Sequence, residues 1–141
     1  MIEPSKINRS DPRAVRTRAL LLQAFAALLA EKTFTTISVQ DVAERATVNR
    51  ATFYAHFEDK YALLDSFIRE RFQQHLAASL AGASLGYDGL RALTISVFTF
   101  FAELRDHKCT QSDKLFNPLL QAVVQQSIHA LLLGWIAKAR P

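Results

Sequence analysis

Four side chains that can bind nucleic acid lie close together in one short segment of this 141-residue chain. Arg50, Thr52, Tyr54 and His56 occupy alternate positions within TVNRATFYAHFEDK, and no acidic residue separates them. An arginine can donate two hydrogen bonds to guanine O6 and N7, while hydroxyl and imidazole groups can bind phosphate oxygens. These residue types therefore indicate contact with DNA. Each residue alone could equally be a solvated or partly packed surface side chain, so the inference depends on their joint placement.

Two short helices joined by a tight turn are predicted to position these side chains. Ser38 and Asp41 have the spacing of a capping box, and Asn49 is a good N-cap for a second helix. About three residues separate the two helices, which is the turn length of a helix-turn-helix. The predicted inward-facing residues are Val39, Val42, Ala43 and Ala46 in the first helix, with Val48, Phe53 and Phe57 in the second.

The run VNRATFYAHFEDKYALL resembles the recognition helix and the following helix of the TetR family of bacterial transcriptional repressors. The resemblance extends from the start of the chain to about residue 65, and it implies an N-terminal three-helix DNA-binding domain. The positions that match the family motif are Val48, Ala51, Thr52, Phe53, Tyr54, His56, Phe57, Asp59, Lys60 and Leu63.

The resemblance also implies roles for individual residues. Base contacts are expected from Gln40, Arg50 and Ala51, the last of which is small enough to meet a thymine methyl group. Phosphate contacts are expected from Thr52, Tyr54, His56 and Lys60. A cation beside the free N–H groups of a helix start is an independent reason to expect phosphate binding at Lys60.

A cluster of arginines marks the start of the first helix. Arg9, Arg13, Arg16 and Arg18 are opposed only by Asp11, and the segment before them is predicted to be a basic arm. Further phosphate contacts are therefore expected from Arg13 and Arg16. Without the neighbouring helix pair, a solvated helix start would be the better interpretation.

Two features depart from the family pattern. The family usually has glycine at the turn position of Thr47, where a left-handed conformation would strain a threonine. We therefore expect a slightly different turn. Family members also usually continue into two further long helices, so the second domain is expected to be incomplete at its C-terminus.

The remaining sequence predicts an all-α fold. Residues 1–60 are assigned to the DNA-binding domain, and residues 61–141 to a helical effector-binding and dimerisation domain. Helices are predicted over residues 12–31, 59–80, 90–105 and 117–139. The expected apolar face of the first is Val15, Ala19, Leu22, Phe25, Ala26 and Leu29, and that of the third is Leu93, Val97, Phe98, Phe101 and Leu104.

Composition limits the remaining classes of function. The net charge of +4 is modest for a DNA-binding protein, and the single cysteine allows no intrachain disulfide, so a bacterial cytoplasmic location is expected. The apolar stretch 119–137 is interrupted by glutamines and is predicted to be an amphipathic helix, with no membrane association. His107 and Cys109 lack a second ligand pair for zinc. No cofactor, no metal and no enzymatic activity are expected.

The C-terminal half is expected to control DNA binding. The family resemblance implies a palindromic operator and release by a small hydrophobic effector. Because two half-sites require a dimer, a homodimer is predicted that partly buries Leu119, Val123, Leu131 or Trp135. A helical ligand-binding or protein-interaction module that keeps the helix-turn-helix without autonomous operator binding is the alternative. The candidate effector-pocket residues are Phe72, His75, Phe98, Phe101, Phe116 and Trp135, although an aromatic stripe of this kind is more often core.

Overall fold

Six α-helices form the computed structural model of this chain, which describes residues 10–105 and 116–140. They are α1 (Pro12–Glu31), α2 (Val39–Ala46), α3 (Arg50–His56), α4 (Lys60–Ser79), α5 (Tyr87–Arg105) and α6 (Phe116–Ala139). A single 3₁₀ turn, Phe34–Thr36, links α1 to α2. The described ranges contain no β-strand, which confirms the all-α prediction. The basic arm, Arg9, His107, Cys109 and the side chain of Phe116 lie outside the described part.

The chain divides into two compact units, Met1–Leu64 and Asp65–Pro141, and the boundary falls within α4. Local sequence signals explain where the helices begin. The Asp11 carboxylate accepts from Arg13 N at 2.9 Å, and Pro12 occupies the first turn of α1. The Asp59 carboxylate accepts from Ala62 N at 2.8 Å at the start of α4.

Phenylalanine rings form much of the core of the first unit. Phe25, Phe34 and Phe53 are fully buried, and the rings of Phe25 and Phe34 meet edge to face at 6.1 Å between centres. The Tyr61 ring packs edge-on against Phe34 at 5.5 Å. Aromatic pairs in this geometry stabilise a core beyond the area they bury.

The buried face of α1 differs from the predicted one. Phe25 and Leu29 are buried as expected, but Val15 is 53% exposed and Ala19 is also exposed. Residues 19–29 are apolar almost all round the helix, so two helical registers share Phe25 and Leu29, and periodicity cannot choose between them. The buried residues of α1 are Leu21, Ala24, Phe25, Leu28 and Leu29.

In the second unit α4 and α5 meet at a pair of aromatic rings tilted by 58°. Phe72 and Phe100 are buried, with their centres 4.9 Å apart. A hydrogen bond of 2.9 Å joins a His75 ring nitrogen to the Ser96 carbonyl oxygen. Arg69 donates to the Gln126 side-chain oxygen at 2.9 Å and so connects α4 to α6.

The start of α5 lies three residues earlier than predicted, at Tyr87. Gly82, in the preceding turn, has a φ of 75°, which favours glycine. Gly89 is required for space, because a Cβ there would clash with the Ser84 carbonyl oxygen. Gly82 lies in the predicted gap between helices 59–80 and 90–105, whereas Gly89 lies inside α5.

The predicted inward face of α5 was also partly wrong. Leu93 and Leu104 are buried, but Phe98 is 74% exposed, and the buried positions between them are Ser96 and Phe100. Both sets of residues fit a helical repeat through Leu93 and Leu104. A polar residue at 96 disfavoured the correct register from sequence alone.

The last helix is strongly apolar. Residues Asn117–Ala139 are long and apolar enough to cross a membrane by length and composition alone, with a mean hydropathy of 1.3. Core helices of water-soluble proteins meet the same criterion. Leu120, Val123, Val124 and Trp135 of α6 are buried within the chain. Val123 and Trp135 therefore cannot form the predicted dimer interface while the chain keeps this fold.

Candidate nucleic-acid interface

The first helix of the predicted pair begins with the expected capping box. The Ser38 hydroxyl accepts from Asp41 N at 3.0 Å, and the Asp41 carboxylate accepts from Ser38 N at 3.0 Å. The hydrogen bond from Ser38 N, followed by one from Lys32, holds the pKa of the Asp41 carboxyl below its usual value. On the opposite face, Val42, Ala43 and Ala46 are buried. The capping-box prediction is confirmed.

Two ion pairs connect α2 to the end of α1. Lys32 Nζ lies 3.2 Å from an Asp41 carboxylate oxygen, and Arg45 donates two hydrogen bonds to Glu31 at 2.7 and 3.2 Å. The hydrogen bond from Arg45 lowers the pKa of Glu31. Because these pairs are solvent-exposed, their effect on stability is small. The Arg45 guanidinium donates both of these hydrogen bonds to Glu31. Arg45 was not among the predicted DNA contacts.

The turn between the helices is formed by a left-handed threonine. Thr47 has φ 62° and ψ 40°, and its N–H donates to the carbonyl oxygens of Ala43 and Glu44. Val48 N then donates to the Ala43 carbonyl at 2.9 Å, so the α2 C-terminus is closed as it would be by glycine. The expectation of a different turn was wrong. Thr47 adopts the left-handed conformation even though it is sterically unfavourable for a β-branched residue.

The second helix, α3, is capped by Asn49 as predicted. The Asn49 side-chain oxygen accepts from both the backbone N–H and the hydroxyl of Thr52, each at 2.8 Å. Phe53 and Phe57 are buried and anchor the helix from within. The Thr52 hydroxyl proton is therefore committed to the cap, and its oxygen retains only acceptor capacity for other partners.

The outward side of α3 carries Arg50, Ala51, Tyr54 and Ala55, all of which are exposed. Arg50 donates to the Tyr54 hydroxyl at 3.5 Å, and its guanidinium carbon lies 5.9 Å from the centre of the Tyr54 ring. The Tyr54 ring in turn packs edge-on against Phe53 at 5.4 Å. Tyr54 is thus an exposed residue whose ring is held in place by its contact with Phe53. Ala55, on the same side one turn after Ala51, was missed because a lone alanine carries no sequence signal.

Three further predicted contact residues also interact with other groups of the protein. The Gln40 amide donates to the Glu44 carboxylate at 2.9 Å on α2. The Lys60 ammonium contacts backbone carbonyls of the α1–α2 linker. His56 is partly buried at the end of α3, where desolvation and then the nearby Arg18 charge lower the pKa of its imidazole.

The first helix brings further positive charge to this unit. Arg13 and Arg16 are exposed near the start of α1, as expected. Arg18 lies over the Phe57 ring, with its guanidinium carbon 5.5 Å from the ring centre. Arg18 was not predicted to contact DNA, and its approach to the end of α3 could not be inferred from sequence spacing.

Around Phe100 of the second unit, the structure brings together some of the predicted effector residues. The rings of Phe72, His75 and Phe101 lie 4.9, 5.6 and 6.2 Å from the Phe100 ring centre. Trp135 is buried on α6, whereas Phe98 is exposed and does not join this cluster. Phe100 itself was missed because the alternative helical register was chosen. We refer to Phe72, His75, Phe100 and Phe101 as the aromatic cluster.

Two short helices joined at a left-handed turn, with the second helix exposing an arginine, small residues and a tyrosine, define a helix-turn-helix protein. Comparison with known proteins agrees with this class. Residues 21–67 match the family "Bacterial regulatory proteins, tetR family". Residues 21–67 therefore form a TetR-type helix-turn-helix domain, which supports the resemblance seen in the sequence motif.

Individual relatives are named as transcriptional regulators or repressors. The chain is 40% identical over 68 residues to the "Uncharacterized HTH-type transcriptional regulator YxbF" of Bacillus subtilis (strain 168), a match covering 48% of this chain and 18% of that protein. It is 28% identical over 153 residues to the "Probable acrEF/envCD operon repressor" of Escherichia coli (strain K12), covering 86% of this chain and 69% of that protein. These names describe regulators, which supports the expectation that the chain is not an enzyme.

Proposed function

We propose that this protein is a transcriptional repressor that binds a palindromic operator as a homodimer and is released by a small hydrophobic effector. The observation that supports operator binding most strongly is the exposed side of α3, where Arg50, Ala51 and Tyr54 are held on a helix anchored by buried Phe53. A helix of this size fits the major groove, and its first residues would meet base edges.

In this proposal Arg50 reads guanine and Ala51 meets a thymine methyl group. Gln40 contributes a base contact after exchanging its hydrogen bond to Glu44 for one to a base. Exposed Arg13 and Arg16 pair with phosphates, while Thr52 accepts and Tyr54 and His56 donate hydrogen bonds at the backbone. Neutral His56 can still donate through one ring N–H. The resulting interface combines a few base contacts with a larger set of phosphate contacts.

A dimer is proposed because a palindromic operator presents two equivalent half-sites to a two-fold symmetric protein. Sedimentation equilibrium at tens of micromolar tests this step separately from DNA binding. A dimer is expected. A monomer that still binds duplex DNA would contradict the proposed dimer but not the proposed DNA contacts. A monomer that binds no DNA would favour the interaction-module alternative.

The effector is proposed to bind near the aromatic cluster. Its rings offer apolar contact, and buried Ser96 supplies a hydroxyl oxygen that has no hydrogen-bond partner among the described residues. A mostly apolar ligand with one polar group matches this chemistry. Compounds of this type should weaken DNA binding of the wild type but have less effect on a Phe72→Ala variant that remains folded.

Fluorescence anisotropy with a labelled duplex tests the DNA-binding proposal. Affinity should fall as salt rises, because each phosphate contact releases counterions with a slope of about 0.9 in log K against log[salt]. Arg16→Ala should reduce this slope, whereas Arg91→Ala, which removes an exposed cation from the second unit, should not. No salt-dependent binding by the wild type would refute the proposal.

A further inference from the structure

The Lys60 ammonium group occupies a site made of backbone carbonyls. Its Nζ lies 3.2 Å from Phe34 O, 3.3 Å from Thr35 O and 3.0 Å from Ile37 O. The same nitrogen lies 4.6 Å from the centre of the Phe34 ring, within range of a cation–π interaction. An ammonium has three N–H donors, so three carbonyl acceptors can use its entire hydrogen-bonding capacity.

These three carbonyls belong to the connection that leads into α2. Phe34 and Thr35 lie in the 3₁₀ turn, and Ile37 follows it directly before the Ser38 N-cap. The Phe34 carbonyl also accepts from Ile37 N at 3.1 Å. Carbonyls at the end of a helical turn carry partial negative charge, which suits a cation. Since Lys60 is the first residue of α4, its side chain joins the start of α4 to the start of α2.

The surroundings of this site are apolar. The Phe34 ring and Ile37 are fully buried, and the Tyr61 ring lies 5.8 Å from the Lys60 ammonium. The Lys60 side chain is partly buried here, so hydrogen bonds to its ammonium group offset the loss of hydration. Lys60 would have to give up at least one carbonyl partner to donate to a phosphate.

We propose that Lys60 is a positioning residue that fixes the α1–α2 connection to the first turn of α4, and that it does not contact phosphate. The proposal rests on the proposed DNA-binding function and replaces the phosphate role that the family resemblance implied for this residue. By holding the segment before Ser38, Lys60 fixes the orientation of α2. The turn at Thr47 joins α2 to α3, so the orientation of α3, the helix proposed to read bases, depends on that of α2.

Substitution by arginine separates the two roles. A guanidinium presents its donors in a planar fork, which suits a phosphate but cannot direct three N–H groups from one atom toward three carbonyls. A phosphate role therefore predicts that Lys60→Arg binds DNA like the wild type. The positioning role predicts that Lys60→Arg and Lys60→Met are both impaired.

The experiment compares the full-length wild type with Lys60→Arg, Lys60→Met and Arg16→Met by anisotropy across a salt series on one labelled duplex. Both Lys60 variants should bind roughly tenfold more weakly, as expected for loss of about one charge-assisted hydrogen bond. Their salt slope should equal that of the wild type, while Arg16→Met should lower it by about 0.9. Wild-type affinity in Lys60→Arg, combined with a reduced slope in Lys60→Met, would overturn the proposal.

A spectroscopic measurement on the wild type does not depend on the variants folding. With ¹⁵N-labelled lysine, the Lys60 ammonium should give an NMR signal protected from exchange with water and shifted upfield by the Phe34 ring. Adding duplex DNA should leave that signal in place. A rapidly exchanging Lys60 signal in the free protein, or a scalar coupling to ³¹P in the complex, would contradict the positioning role. If the wild type bound no DNA, a protected signal would still support the carbonyl site while the DNA-binding proposal failed.

Discussion

The Arg50 guanidinium donates to the Tyr54 hydroxyl at 3.5 Å, one helical turn away, and lies near the face of the same ring. This contact restrains a long side chain that would otherwise lose several rotamers on binding a base. The hydrogen bond is long, so it can be exchanged for contacts to DNA. The two residues thus form a partly pre-organised pair on the exposed side of α3.

Removing the Tyr54 hydroxyl tests its proposed contact with the DNA backbone. Tyr54→Phe keeps the ring packed on Phe53 but loses one hydrogen bond, so affinity for every duplex should fall by about threefold to tenfold. Tyr61→Phe makes the same change at a half-exposed tyrosine of α4 and should leave affinity unchanged. Anisotropy titrations on several unrelated duplexes provide the measurement. Equal effects of the two substitutions would contradict a specific role for Tyr54.

Glycine at position 47 should stabilise the protein. A β-branched residue at φ 62° carries steric strain that glycine avoids, and the Thr47 side chain is exposed, so little packing is lost. Thr47→Gly should raise the free energy of unfolding by about 0.5–1 kcal/mol, after allowing for the greater freedom of glycine in the unfolded chain. Urea denaturation measures this change. Thr47→Val, which keeps the branched Cβ, serves as the control and should show no increase; a less stable Thr47→Gly variant would contradict the strain.

The lowered pKa of His56 predicts a pH dependence of stability. The folded protein binds a proton at His56 less readily than the unfolded chain does, because burial and Arg18 oppose the charge. Stability should therefore fall as pH drops through the ordinary histidine pKa of about 6.5 and toward the lower pKa of the folded state. His56→Gln should reduce this fall, whereas His129→Gln, at an exposed position of α6, should not. Urea denaturation between pH 8 and pH 5 measures it, and an unchanged fall in His56→Gln would refute the assignment.

Two phenylalanines of α5 should respond very differently to truncation. Phe100 is buried against Phe72, so Phe100→Ala should cost about 3–5 kcal/mol of unfolding free energy through lost burial and a residual cavity. Phe98 is mostly exposed, and Phe98→Ala should change stability by no more than about 0.5 kcal/mol. Thermal or urea denaturation distinguishes the pair. Similar losses of stability for both would contradict the placement of Phe100 on the buried face of α5 and of Phe98 on its exposed face.

Local signals in the sequence predicted much of the helix-turn-helix formed by α2 and α3. Ser38, Asp41 and Asn49 specify helix starts through hydrogen bonds to residues three positions away, and those contacts depend on little else. The outward placement of Arg50 and Tyr54 followed from the same helix phase. Their roles on DNA remain predictions that the experiments above test.

Features that depend on packing between elements were not predictable in the same way. Apolar residues around most of α1, and three phenylalanines within four residues of α5, allow more than one helical register. The partners of Lys60 lie more than twenty residues away in a linker, so no spacing rule could connect them. Thr47 adopted an unfavourable conformation because the surrounding helices require a left-handed residue there.

Base reading by Arg50 is the central claim, and selection from a randomised duplex library tests it most directly. The wild type and Arg50→Ala would each be used to enrich bound sequences, with Arg91→Ala as a matched loss of one cation. Base reading by Arg50 predicts that the wild type and Arg91→Ala enrich the same palindromic motif containing guanine in each half-site. It also predicts that Arg50→Ala loses the preference for that guanine. Enrichment of an identical motif by Arg50→Ala, with equal preference at every position, would contradict the claim.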